Sequence, residues 1–87
     1  MTPVSEACNA NNITATTTLY TGDGAILGIF VSSASNTPTL KVSDGATTLA
    51  NTFTPVSATW YTLPFRFTKS LVITVGGTVD CCVAWSP

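Results

Sequence analysis

Trp60-Tyr61-Thr62-Leu63-Pro64-Phe65-Arg66-Phe67, then Leu71-Val72-Ile73-Thr74-Val75-Gly76-Gly77-Thr78-Val79-Asp80-Cys81-Cys82-Val83-Ala84-Trp85, carries the strongest architectural signal in this 87-residue chain. It holds five of the eight aromatic residues, and apolar side chains recur at every second position, the period of a half-buried β-strand. The first segment predicts a strand with Tyr61, Leu63, Phe65 and Phe67 on one face and Trp60, Thr62, Pro64 and Arg66 on the other. Pro64 has no N–H for a ladder, so this strand belongs at an edge or is bulged there. Gly76-Gly77 predicts a hairpin in the second segment. A two-residue turn would set Val75 against Thr78 and Ile73 against Asp80, mixing apolar and polar rows. A three-residue loop, Gly76-Gly77-Thr78, pairs Val75 with Val79, Ile73 with Cys81 and Leu71 with Val83, and the three-residue loop or an equivalent bulge is the expectation. Cys81 then points inward, and Asp80 and Cys82 point outward.

Working outward, the residues before this stretch read as further short strands. Residues 1–12 are polar, contain Pro3 and four asparagine or glutamate side chains, and show neither helical nor strand period, so they read as an N-terminal arm bearing Cys8. From Ile13 to Tyr20 the chain alternates as one strand with a wet face. Thr21-Gly22-Asp23-Gly24 is turn chemistry, and Ala25 to Ser32 is a continuous apolar run predicting a strand buried on both faces. Gly28 within it marks a bulge or a close approach of another backbone. Ser33 to Pro38 reads as a loop, Thr39 to Ser43 as a strand, Asp44-Gly45 as a tight turn and Leu49 to Phe53 as a strand. About seven strands joined by short turns, with no helix, predict an all-β fold: one antiparallel β-sandwich or flattened, jelly-roll-like barrel over residues 13–87.

Composition bounds the function. Three basic residues (Lys41, Arg66, Lys69) against four acidic ones (Glu6, Asp23, Asp44, Asp80) make no patch for a phosphate backbone, so nucleic acid is not an expected partner. Charged residues are 8% of the chain and apolar ones 45%, where charged residues average about 25%. A surface so poor in charge exposes hydrophobic side chains, which favours an oligomer or a place in a larger assembly. The opening residues lack the basic start and apolar run of a signal peptide, and the longest apolar run, Ala25 to Val31, is far short of a bilayer, so no membrane association is expected.

Leu19-Tyr20-Thr21-Gly22-Asp23-Gly24-Ala25-Ile26-Leu27-Gly28-Ile29-Phe30, Leu40-Lys41-Val42-Ser43-Asp44-Gly45, Asn51-Thr52-Phe53-Thr54-Pro55, Trp60 to Phe67 and Gly76-Gly77-Thr78-Val79-Asp80 resemble small β-sandwich virion proteins of tailed bacteriophages. The likeness spans roughly Ile13 to Trp85 and rests on strand and turn patterns. It implies a structural role on the virion, as capsid decoration or as a neck, collar or head-fibre component. It also implies a homo-oligomer, with a trimer favoured, bound to other virion proteins such as the major capsid protein and assembled in the bacterial host cytoplasm. Cys81-Cys82 and Cys8 depart from that pattern.

Three cysteines cannot all pair within one chain, and adjacent strand residues point to opposite faces, so a Cys81-Cys82 bond is not expected. Two readings stay open: an intersubunit disulfide between Cys8 on the arm and Cys82 on a neighbour's outer face, or three reduced thiols. There is no histidine, three cysteines with only one adjacent pair lack the spacing of a structural zinc site, no base is present for a serine or cysteine nucleophile, and three of the four carboxylates fall in turns, in the arm or beside a loop, so neither metal, cofactor nor enzyme activity is expected. Trp60, Arg66 and Trp85 are the candidate interface residues, Trp60 first because it lies opposite Phe65 and Phe67. Arg66 has Asp80 or a neighbour's acid as a possible ion-pair partner. The alternative function is a glycan- or host-binding module using Trp60 and the turns at Asp23 and Asp44.

Overall fold

The computed structural model describes residues 9–87. Among these residues all regular structure is β: β1 (Asn9–Ile13), β2 (Thr17–Thr21), β3 (Gly24–Asp44), β4 (Thr47–Phe53), β5 (Thr59–Phe67) and β6 (Ser70–Ser86). They form one antiparallel sheet of six strands that is not closed into a barrel. The all-β antiparallel class is therefore as the sequence predicts.

Two strands, β3 and β6, run side by side through the whole molecule and turn one corner together. Residues 25–35 of β3 pair with residues 78–86 of β6, and residues 39–44 with residues 71–76, with a register shift between Ser35 and Thr39. At the corner Asn36 (φ 57°), Thr37 (φ 55°) and Gly77 (φ 68°) take left-handed conformations. An added Cβ at Gly77 would stand 2.7 Å from the Thr37 carbonyl oxygen, so glycine answers both the backbone angle and the close approach. Asn36 Nδ2 donates to Thr78 Oγ1 at 3.1 Å and ties the two bends. On one side of the corner the layer is β1-β6-β3-β5; on the other it is β2-β6-β3-β4.

The layers close on each other. Tyr20 of β2 meets Trp85 and Phe67, and Phe53 of β4 meets Tyr61 of β5, each contact joining one layer to the other. Ile26, Ile29, Val31, Leu40, Val42, Phe67, Leu71, Ile73, Val79, Cys81 and Val83 are all 1% exposed or less and belong to one core cluster. A single bent sheet thus makes a two-layered, sandwich-like core.

The corner accounts for each departure from the expected layout. Gly76-Gly77-Thr78 is not a hairpin: Val75 pairs with Leu40, Val79 with Ala34, Ile73 with Val42, Cys81 with Val31 and Val83 with Ile29. Ser33 to Pro38 likewise bends β3 instead of ending it. On the other edge of β6 the neighbouring chain does not bend with it but divides, so the stretch from Ile13 to Tyr20 becomes two strands, β1 pairing with residues 81–85 and β2 with residues 70–73. Thr16, in the break, receives the Val75 N–H on its hydroxyl at 3.0 Å. A shift between Thr18 and Tyr20 turns Tyr20 onto the core, where the simple alternation placed it outside. Asn9 to Asn12 are hydrogen-bonded into β1 against Cys82 to Trp85, so the domain begins before Ile13 and the arm boundary at residue 12 moves back. The count is six strands in place of about seven.

Candidate functional site

Among the described residues β5 pairs only with β3 and is an edge strand, with a bulge at Leu63-Pro64, where the ladder steps from Ile26–Phe65 to Gly28–Thr62. Both conditions suit a proline. The strand's exposure alternates as expected, with Phe67 buried and Trp60, Thr62, Pro64 and Arg66 exposed. Trp60 is 47% exposed on the outer face of the β1-β6-β3-β5 layer.

Cross-strand register places Asn12, Cys82, Phe30 and Trp60 in one row across that face. Phe30 is 41% exposed, so the apolar run from Ala25 to Ser32 is buried on its inner face alone, with Ile26, Ile29 and Val31 inside. The expectation of burial on both faces fails for Phe30. Periodicity held no signal for this, because a continuous apolar run reads the same whether its second face is covered by the chain itself or by nothing.

Trp60 is held in place. Its Nε1 donates to Thr62 Oγ1 at 2.9 Å, and the indole lies over Gly28, where an added Cβ would come within 2.6 Å of ring atom Cζ2 and against the Tyr61 carbonyl oxygen. Gly28 therefore marks both a bulge and a close approach, and the missing side chain is what leaves room for the indole against the sheet. Beside it runs an open groove of about 440 Å³ lined by Ala25, Leu27, Trp60, Thr62, Pro64 and Arg66, among others. The size would admit a small molecule, but hydrogen-bonding groups are few, and the Thr62 hydroxyl is already engaged by Trp60.

Among the described residues this face carries two charged side chains, Arg66 beside Ala25 and Asp80 beside Ser33. Those positions lie eight residues apart along β3, roughly 25 Å at about 3.3 Å per residue, so an ion pair between them within one chain is out of reach. Asp23, in the β2–β3 turn, shares the adjoining groove with Arg66.

The other expected site residues separate. Trp85 is 7% exposed: it faces the core, its Nε1 donates to Asn11 Oδ1 at 2.8 Å, and it is not on the surface with Trp60 and Arg66. Cys81 is buried and Cys82 half-buried on the outer face, both as free thiols on opposite sides of β6. Burial, with the Asp80 and Cys82 charges added, pushes the Cys81 thiol up to about 11. Cys8 lies outside the described residues. Asp44 Oδ1 accepts the N–H groups of Lys69 and Ser70, and its Oδ2 accepts the N–H and hydroxyl of Thr68, bonds that hold the carboxyl below its ordinary range. This carboxylate fastens the β3–β4 turn to the β5–β6 turn. It stands at the Phe67 end of β5, roughly 25 Å from Trp60 at about 3.3 Å per residue, so the two do not share a site. No three Cys, Asp or Glu side chains among the described residues are grouped to hold a metal ion.

No protein-family model, curated protein or solved structure matches this chain. The outer aromatic face is accordingly the feature on which a functional reading rests.

Proposed function

We propose that this chain is a structural virion protein of a tailed bacteriophage, a capsid decoration or neck or collar component that reinforces the particle by contact with copies of itself and with the capsid. The observation that carries the reading is the outer face: a charge-poor layer with Phe30 41% and Trp60 47% exposed on strands held by hydrogen bonds. Aromatic side chains fixed in this way resemble the anchors of protein interfaces, because little conformational freedom is lost when they are covered. The resemblance of the strand and turn patterns to phage virion proteins supplies the particle. Cys82 lies on the same face, and the proposal includes an intersubunit bond from it to Cys8 of a neighbour, formed once the particle meets an oxidising medium.

A glycan- or host-binding module is the second reading, favoured by the exposed indole of Trp60. The engagement of Asp44 in the turns and the shortage of free polar groups around Trp60 weigh against it. Cosedimentation of the purified chain with intact phage capsids, with Phe30→Ser and Trp60→Ala variants alongside, tests the first reading. Binding of wild type, lost in the variants with the fold retained, is the expected result. No capsid binding, together with glycan binding abolished by Trp60→Ala, would overturn it.

A further inference from the structure

We propose that the outer face of the β1-β6-β3-β5 layer docks against the same face of a second copy of this chain across a two-fold axis, with Phe30 and Trp60 near the middle and Arg66 of each copy against Asp80 of the partner subunit at the two ends. The proposal rests on the reading of this face as a contact surface and names its occupant and symmetry.

The charge layout selects the axis. Arg66 lies on the edge strand β5 at the level of Ala25, and Asp80 on β6 at the level of Ser33, so the pair spans the face diagonally. A two-fold axis in the plane of the face, crossing that diagonal at right angles through its midpoint, exchanges the two positions. Each arginine then meets an aspartate, and the contact occurs twice. An axis running along the diagonal would instead set each charge against its own copy, which electrostatics disfavours. The midpoint falls between Ala25 and Ser33 on β3, in the region of Gly28 and Phe30, so the axis that pairs the charges also brings the apolar centre onto itself.

Area and closure agree with this occupant. Four strands at about 4.8 Å spacing and eight residues at about 3.3 Å give roughly 500 Å² in projection for each copy, before the relief of the side chains is counted. The two faces together give roughly 1,000 Å², the lower bound for a specific interface. An isologous contact of this kind closes on itself and leaves no copy of the face open to propagate. A small or sugar-like ligand would leave Phe30 uncovered at 41% exposure.

The test is the solution mass of the full chain by light scattering over a concentration series, in reductant so that disulfides play no part. Wild type is compared with Arg66→Asp, Asp80→Arg and the double reversal, with circular dichroism confirming the fold of each. The expected result is a wild-type dimer, a dissociation constant raised at least about tenfold by either single reversal, and recovery in the double variant. A larger oligomer, or a dimer indifferent to both reversals, would overturn the two-fold pairing while leaving self-association standing. A wild-type monomer at several hundred micromolar would overturn the pairing and the self-association reading together.

Discussion

Tyr20 and Trp85 stack with ring centroids 5.1 Å apart and planes inclined by 35°, although Tyr20 belongs to a strand paired with the first residues of β6 and Trp85 lies next to the last. Only a sheet folded over at Gly77 brings them together. Their contact measures the closure of the two layers.

Truncation of the two tryptophans should therefore differ sharply. Trp85→Ala removes a buried ring from a small core and should destabilise by about 3–5 kcal/mol, whereas Trp60→Ala, on the outer face, should cost under about 1 kcal/mol in the monomer. Trp85→Phe should keep the stack and lose the bond to Asn11, for about 1 kcal/mol. Urea unfolding followed by far-UV circular dichroism checks all three.

Gly28→Ala should destabilise by about 1–3 kcal/mol, because the new methyl meets the Tyr61 carbonyl and the Trp60 indole. In the double variant with Trp60→Ala the indole clash disappears and the backbone clash stays, so the two effects should be non-additive. Trp60 fluorescence in Gly28→Ala should shift as the ring leaves the sheet.

The Asp44 carboxylate should act as an acid-sensitive fastener. Its folded value is lowered from 3.8 by the N–H groups of Thr68 and Lys69, so its stabilisation is present above that pH and fades as pH falls through the lower folded value. Asp44→Ala should lower the urea midpoint at pH 7, and the gap from wild type should shrink below pH 3.8. A gap that stays constant with pH would contradict the assignment.

The Cys81 thiol, 9.0 when unfolded and about 11 when buried, should make stability decline from pH 9 toward 11, since the unfolded chain gives up its proton first. Cys81→Ala should flatten that part of the pH profile. In the native protein, maleimide labelling near neutral pH should modify Cys82 before Cys81, as read by peptide mass.

Much of the site was legible in the residues. The alternation of β5 put Trp60 and Arg66 outside and Phe67 inside, and Pro64 and Gly28 announced an edge and a bulge that are both present. Trp85 shares its parity with Cys81 and Val83, which lie in the core, and this is the signal that places it inside. Phe30 was missed because its exposure depends on what fails to cover β3, which no local pattern records.

What the sequence by itself determined is which side of each strand is apolar. Leu71, Ile73, Val79, Cys81, Val83 and Trp85 face the core as their spacing requires. What only the tertiary structure decided is what those strands pair with. A three-residue hairpin at Gly76-Gly77-Thr78 and an unbroken strand through Gly77 put the same odd-numbered residues on the same face. The period of two is therefore blind to the difference. The choice was made by β3, a partner about forty residues away, whose own bend at Asn36 and Thr37 matches that of Gly77 and lets both strands keep their ladders through the corner.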